Sequence, residues 1–219
     1  FDAIAPKYDL LNHVLSAGID RRWRARAIRS LGLTGRDTLL DVCTGTADVA
    51  LQAHDAARVV GVDFAAAMLS VGGRKVRAAE QGRRITLIRG DATRLPVRDG
   101  IADAATVAFG IRNVERPDLA CVELARVMRQ GGRLAILEFG VPRVPGISTL
   151  YLWYFRYLLP AIGRMISGHT AAYSYLPASV GTFPPPHEFV MVLEQAGFAD
   201  VRADPLTFGI TYLYTATKR

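Results

Sequence analysis

Apolar and polar positions along the chain change period repeatedly, and the changes divide it into alternating strand and helix segments. The run Thr38-Leu39-Leu40-Asp41-Val42 passes into small residues between Cys43 and Ala47, then resumes as a helix-forming stretch through His54. That is a strand, a tight turn and a helix start. Arg58-Val59-Val60-Gly61-Val62-Asp63 and Ile85-Thr86-Leu87-Ile88-Arg89-Gly90 repeat the strand pattern, and an acid stands at each end, Asp63 and Asp91. Between them, 65–81 sets Met68, Leu69, Gly72, Val76 and Ala79 on one helical face, with Gly82 as the stop. A fourth strand is predicted over 102–109. Pro117 opens a helix whose Cys121, Leu124, Ala125 and Met128 face the sheet, Gly131-Gly132 ends it, and 133–139 returns as a fifth strand. A last helix over 184–197 turns Phe189, Val192, Leu193 and Ala196 inward, and 201–207 and 208–217 form a closing pair of strands around Gly209. Strands alternating with helices predict an α/β fold built on a Rossmann-like, doubly wound parallel sheet.

Two stretches stand outside this alternation. Residues 1–31 read as helical, with Tyr8, Leu11, Leu15, Trp23 and Ile28 at broken apolar spacing interrupted by Gly18. This N-terminal piece is expected to cap the site. In 144–168, Ile147, Leu150, Tyr151, Tyr154 and Leu158 line one helical face while Leu152, Phe155 and Leu159 cover another, so the segment is apolar nearly all round. Arg156 and Pro160 interrupt it, which leaves no unbroken span of the ~20 residues that a membrane crossing requires. Two readings follow for the 144–183 insertion after the fifth strand: a lipophilic lid that also touches a membrane surface, or a helix pair packed in the core or a homodimer interface.

Whole-chain quantities narrow the picture. With 219 residues, half of them hydrophobic, residues 1–219 are expected to form one domain with a sizeable core. The formal charge of +7 is densest at Arg21, Arg22, Arg24, Arg26 and Arg29. No aromatics interleave there as a base-stacking surface requires, so nucleic acid is not an expected partner; an anionic membrane surface is. The two cysteines, Cys43 and Cys121, give neither a disulfide framework nor metal spacing, which points to a reducing, cytoplasmic setting. The chain opens at Phe1 without a methionine or a signal-like segment, so further residues are expected before it.

The first turn separates two kinds of nucleotide-binding chemistry. A dinucleotide fold uses G-x-G-x-x-G to seat a pyrophosphate on a helix N-terminus, whereas this turn has the single glycine Gly45, with Asp41 and Asp48 close by. Carboxylates repel a pyrophosphate and suit a cation. Acids at the second and third strand ends can accept from ribose hydroxyls and an adenine amine, and a negative neighbourhood suits an ammonium and a sulfonium. That set matches S-adenosylmethionine.

Leu40-Asp41-Val42-Cys43-Thr44-Gly45-Thr46-Ala47-Asp48, Val62-Asp63, Gly90-Asp91-Ala92, Phe109-Gly110-Ile111-Arg112-Asn113-Val114 and Tyr173-Ser174-Tyr175-Leu176-Pro177-Ala178-Ser179-Val180 together resemble the menaquinone and ubiquinone C-methyltransferases. The first three mark class I methyltransferases generally, and the last two are the more specific. The resemblance implies a seven-stranded sheet with an antiparallel seventh strand, S-adenosylmethionine as cofactor and a prenylated quinol, most simply demethylmenaquinol, as substrate. It places the cofactor on Asp41, Thr44, Gly45, Thr46, Asp63, Phe64, Asp91, Ala92, Ala108 and Phe109, with Tyr8 closing over it. Catalysis falls to Arg112, Asn113, His169 and Tyr175.

Arginine stays protonated and is a poor base, so Arg112 is expected to lower the pKa of the quinol hydroxyl; the alternative is a plain ion pair with Glu115 or Glu138. The base is His169 by preference, or Tyr173, Tyr175 or water. Ala47 replaces a common glycine and is tolerable there if its φ is negative, and Ala108 removes a hydroxyl that relatives often carry. Other acceptors, such as a benzoquinol precursor or a phospholipid amine, and a non-catalytic cofactor-binding scaffold stay open at this point.

Overall fold

A computed structural model describes residues 18–140, 142 and 182–219. Expectations for Tyr8, His169, Tyr173, Tyr175, the body of the N-terminal cap and the apolar insertion therefore lie outside the described residues. In chain order the elements are α1 (Ile19–Ser30), β1 (Thr38–Val42), α2 (Asp48–Gln52), β2 (Arg58–Asp63), α3 (Ala66–Ala78), β3 (Ile85–Arg89) and β4 (Ala102–Ala108). A 3-10 turn (Ile111–Asn113), α4 (Pro117–Val127), β5 (Met128–Phe139), α5 (Pro186–Gln195), β6 (Phe198–Leu206), a second 3-10 turn (Thr207–Gly209) and β7 (Thr211–Lys218) follow.

Seven strands form one sheet in the order β3-β2-β1-β4-β5-β7-β6. Strands β1 to β5 pair in parallel, and β7 runs antiparallel to both of its neighbours. The predicted α/β class and the antiparallel seventh strand are both present. The chain winds outward from β1 through β2 to β3, then returns to β4 and winds the other way. The crevice outside the carboxyl ends of β1 and β4 is therefore the topological switch point where such sheets bind ligands.

Both faces of the central strands β1 and β4 are buried, which is why they read as nearly continuous apolar runs rather than strict alternation. Leu40, Val42, Val107 and Ile136 meet Leu124 of α4 and Phe189 and Leu193 of α5 on one face. On the other, Leu39, Ala104 and Leu137 meet Trp23, Ala27 and Ile28 of α1 and Leu31 just after it. Full burial of each large side chain contributes about 1.5–3 kcal/mol, so these two layers dominate the fold's stability.

Several boundaries differ from the sequence reading, each for a local reason. Helix α2 ends at Gln52, two residues short of His54. Helix α3 stops at Ala78, because Glu80 turns left-handed (φ 57°) before Gly82 is reached, and Ala79 is consequently exposed. Met128 is the first residue of β5, not the last face of α4. Between Met128 and Arg133 the strand carries extra residues against Ala102 and Ala104, a bulge in which Gly131 has φ 74°. Pro186 at the first turn sets the start of α5 two residues late, and β6 begins at Phe198. Helix α1 begins after Gly18 (φ 75°), the predicted interruption. Arg24 leaves the predicted basic cluster: it is buried and paired with Asp20, while Arg21, Arg22, Arg26 and Arg29 are exposed.

Among the described residues, no helix is long and apolar enough to cross a membrane, and no group of three or more His, Cys, Asp or Glu is placed to hold a metal ion.

Candidate active site

The switch point opens into a cavity of about 380 Å³, within the usual range for a small-molecule site. Its walls come from the carboxyl ends of four strands: Cys43 and Gly45 after β1, Asp63, Phe64 and Met68 after β2, Asp91 and Ala92 after β3, and Ala108, Phe109 and Asn113 after β4. Of the residues predicted to touch cofactor or substrate, Gly45, Asp63, Phe64, Asp91, Ala92, Ala108, Phe109 and Asn113 are thus brought to one space. Asp41, Thr44, Thr46 and Arg112 stand behind its wall.

The loop after β1 is folded by an alternation of left-handed residues: Cys43 (φ 56°), Gly45 (φ 55°) and Ala47 (φ 67°). The condition set for Ala47, a negative φ, is not met. Alanine in this conformation costs about 1–2 kcal/mol. The neighbours hold it there, because Ala47 is fully buried and its amide donates to Thr44 O at 2.9 Å. The resulting turn leaves Gly45 facing the cavity without a side chain.

Asp63 ties that loop to the second strand. Its Oδ2 accepts from the Gly45 amide at 2.8 Å and its Oδ1 from the Ala65 amide at 2.9 Å. A carboxylate at this strand end is also of the chemistry that accepts from ribose hydroxyls. Asp91 is exposed, and its Oδ1 accepts from the amide and hydroxyl of Thr93, both at 2.8 Å. Phe64 is 70% exposed with the Arg89 guanidinium 5.7 Å from its ring centroid, an apolar surface held open at the cavity rim.

Beneath the floor lies Asp41, 1% exposed, with its Oδ2 accepting from the Thr44 hydroxyl at 2.5 Å and the Ala50 backbone amide also bonding the carboxyl. Burial pushes its carboxyl up to about 7; the Thr44 hydroxyl opposes this and the nearby Asp63 carboxylate adds to it. Thr46 is also buried, its hydroxyl accepting from Lys75 Nζ at 3.3 Å, and Lys75 pairs in turn with Asp48.

On the β4 side, Phe109 takes a left-handed conformation (φ 62°) and bends the chain into the 3-10 turn that carries Arg112 and Asn113. Asn113 reaches the cavity. The Arg112 side chain is only 6% exposed: Nη1 donates to Glu138 Oε1 at 2.5 Å and to Phe109 O at 2.7 Å. Glu138, fully buried on β5, also accepts from the Phe139 amide (2.8 Å) and the Arg112 amide (3.2 Å). Of the two pairings considered for Arg112, the one with Glu138 forms.

Sequence reasoning names Glu138 only as an alternative ion-pair partner of Arg112; its further bonds to the Phe139 and Arg112 amides are not foreseen, since a lone acid within an apolar strand carries no mark of them. The motif containing Gly110 is singled out in the sequence, but not the reason a glycine stands there. A Cβ built there would lie 2.3 Å from Cys43 Cβ, so the loops after β1 and β4 close on each other only through a glycine. A column of rings and guanidiniums backs this wall. The Phe109 and Phe139 rings stack at 4.6 Å, Arg24 lies 5.6 Å from the first and Arg112 5.2 Å from the second.

The residues present fit S-adenosylmethionine. Acids stand at the ends of β2 and β3, the buried Asp41 lies under the floor, and Val62, Met68, Ala92 and Leu119 offer apolar walls on either side. No basic side chain among the described cavity residues other than Arg116 opposes a cation there.

Comparison with known proteins gives the family. Residues 1–218 match the model of the ubiE/COQ5 methyltransferase family. The ubiquinone/menaquinone biosynthesis C-methyltransferase UbiE of Syntrophotalea carbinolica is 49% identical over all of this chain and 92% of its own length. The demethylmenaquinone methyltransferase of Thermus thermophilus is 42% identical, covering all of this chain and 99% of its own. Among solved structures, a putative S-adenosyl-L-methionine-dependent methyltransferase of Methanococcus maripaludis superposes with a TM-score of 0.69 at 17% identity, covering 98% of this chain and 91% of that one, a likeness of fold. With the switch-point cavity, the acid set and the full-length match in agreement, the chain belongs to the ubiE/COQ5 methyltransferase family and is an S-adenosylmethionine-dependent methyltransferase.

Proposed function

We propose that the acceptor is a ring carbon of a prenylated quinol, that the protein works in quinone biosynthesis, and that demethylmenaquinol is its substrate. The observation that carries this reading is that Asn113, from the loop after β4, opens into the same cavity as Gly45 and Asp63, so an acceptor group and the cofactor would share one enclosure. Relatives from Thermus thermophilus and Bacteroides fragilis, each 42% identical, are demethylmenaquinone methyltransferases, and the more similar UbiE of Syntrophotalea carbinolica is named for both quinones, so menaquinone is common to the two groups.

S-adenosylmethionine, when bound, supplies a methyl group on a sulfonium. A ring carbon becomes a competent nucleophile once a neighbouring hydroxyl loses its proton, and the protein's part is to favour that loss and hold the ring in line. Asp63 would hold the ribose, Asp91 the adenosine end, and Thr44, Thr46 and Asp41 the loop beneath. Phe64, Ala92, Ala108 and Phe109 complete the cofactor walls. Asn113 is placed to bond the acceptor's oxygen directly. Arg112, fixed by Glu138 and Phe109 O, stabilises the developing oxyanion from behind the wall through the turn it organises. His169, ahead of Tyr175, is the group assigned to take the proton.

A prenylated acceptor partitions into lipid, so this reading includes peripheral contact with the inner face of the cytoplasmic membrane. The apolar insertion would receive the tail, and exposed Arg21, Arg22, Arg26 and Arg29 would add salt-sensitive attraction to anionic lipid. A homodimer through the same insertion belongs to the same proposal.

Transfer from labelled cofactor to demethylmenaquinol, to a benzoquinol precursor and to phosphatidylethanolamine, side by side, tests the substrate. Turnover on the naphthoquinol ahead of the others is expected. Preference for another acceptor replaces the assignment. Cofactor binding without turnover on any of them would leave a scaffold.

A further inference from the structure

Helix α1 contributes no residue to the described cavity wall, yet one of its side chains reaches both of the turns that do. Arg24 is 6% exposed, and its Nη1 donates to Asp20 Oδ2 one helical turn earlier. The same nitrogen stands 3.8 Å from Oδ2 of Asp48, the first residue of α2, directly after the left-handed Ala47 of the turn that follows β1. The guanidinium carbon lies 5.6 Å from the ring centroid of Phe109, the left-handed residue that opens the turn after β4 and lines the cavity. Trp23 backs the same ring at 6.1 Å and donates its indole N–H to the Thr207 hydroxyl at 2.9 Å. From its other side Asp48 is held by Lys75 of α3, whose Nζ also donates to the Thr46 hydroxyl at 3.3 Å. Polar contacts thus run without a break from α1 to the turn that holds Gly45.

Stability alone does not call for a cation at this position. Taking a guanidinium and its carboxylates out of water offsets most of their attraction, and apolar side chains of similar volume often serve a fold as well or better. Arg21, Arg22 and Arg26, its neighbours on α1, stay in water. What an apolar residue cannot do is bond a carboxylate through its N–H groups while its flat face meets an aromatic ring, and a planar guanidinium does both. The two turns it meets are the ones that close on each other where Gly110 faces Cys43. Their spacing matters to the chemistry: the first presents Gly45 to the cavity and the second carries Asn113, and a misplacement of about 1 Å between reacting groups costs roughly 100-fold in rate.

We propose that Arg24 is a positioning residue for methyl transfer: acting through Asp48 on the turn after β1 and through Phe109 on the turn after β4, it holds the two in register and ties α1 to the occupancy of the cavity. A cofactor seated between Gly45 and Phe109 narrows the positions open to both turns. Arg24 passes that ordering to α1, which lines no part of the described cavity. The linkage is reciprocal, so whatever cuts α1 away from the turns weakens cofactor binding by the same factor. The inference rests on the cofactor alone, and failure of the quinol assignment leaves it standing.

Amide hydrogen exchange on the full chain, with and without saturating S-adenosylmethionine, reads this directly at labelling times short enough for local openings to dominate. The α1 amides are expected to slow several-fold when the cofactor binds, whereas those of α5, packed on the opposite face of the sheet, change little. Asp48→Asn keeps the side chain's shape and leaves Arg24 bonded to Asp20. In that variant α1 should stay folded, its response should fall to the level of α5, and calorimetry should show the cofactor bound several-fold more weakly. Arg24→Lys keeps the charge and loses the flat face, so it should lose the response as well. The double variant should bind the cofactor no more weakly than the weaker single variant, because both substitutions cut one path. An arginine that only packs the core would lower the melting temperature, leave the α1 response intact in Asp48→Asn and give additive losses, and that pattern overturns the proposal. Absence of the α1 response in the wild-type protein overturns it without any variant.

Discussion

Asp63 accepts the Gly45 amide on one oxygen at 2.8 Å and the Ala65 amide on the other at 2.9 Å, so the acid at the end of β2 fastens two loops of the cavity. A strand-end carboxylate serving only a ribose would be removable without harm to the fold; this one is not. Asp63→Ala should weaken S-adenosylmethionine by roughly 100-fold and also destabilise the protein by about 1–3 kcal/mol, since two amides lose a charged acceptor. Calorimetry and urea denaturation measure the two losses separately. Unchanged affinity would take Asp63 out of the cofactor site.

Gly110→Ala should be severely disruptive, because the new Cβ would lie 2.3 Å from Cys43 Cβ and both atoms are held by backbone. Overpacking of this kind costs typically 1–3 kcal/mol and occasionally more. Cys43→Gly removes the opposing atom and, at φ 56°, is itself conformationally welcome. The double variant should recover most of the melting temperature lost by Gly110→Ala. Additive losses in the double-mutant cycle would mean that the two loops do not meet there.

Arg112→Lys keeps the charge but replaces the planar guanidinium, whose Nη1 donates to both Glu138 Oε1 and Phe109 O, with a compact ammonium on a differently shaped stem. We expect cofactor affinity within a few-fold of wild type, turnover on a quinol reduced by roughly 100-fold, and a lowered melting temperature from the under-bonded Glu138. Wild-type turnover in the lysine variant would show that the turn does not need the guanidinium.

Asp41 predicts an unusual pH dependence of stability. Its folded carboxyl, raised by burial to about 7, binds a proton that the unfolded chain has already released above pH 4. Over that interval the native state holds more protons than the unfolded state, so stability falls as pH rises, by up to about 1.4 kcal/mol per unit, and levels off above the folded value. Asp41→Asn keeps an acceptor for Thr44 and cannot ionise. Its stability relative to wild type should therefore grow between pH 5 and pH 8, on the order of 2–3 kcal/mol in urea denaturation. A constant difference across that range would mean that Asp41 is ionised throughout.

The order of strands and helices, the two buried faces, the single-glycine turn after β1 and the acids after β2 and β3 were all legible in the chain, because each is a local pattern of period, small side chains or charge at a strand end. Tertiary structure decided what those residues do to one another. The sequence leaves Arg112 open between a cation for the quinol oxygen and an ion pair with Glu115 or Glu138; the fold packs it against Glu138, a partner 26 residues away that β5 delivers beside β4. Ala47 takes the left-handed conformation its residue type disfavours because the fold around it is close-packed, and that choice belongs to the surroundings. Arg24, one of five arginines in a basic stretch, is drawn inward by Asp20 and the Phe109 ring, while its neighbours on the outer face of α1 stay in water. Periodicity reports which face of an element is apolar. It carries no information on which buried polar groups meet, because those distances are set by the register of strands far apart in sequence, and the chemistry of this cavity depends on them.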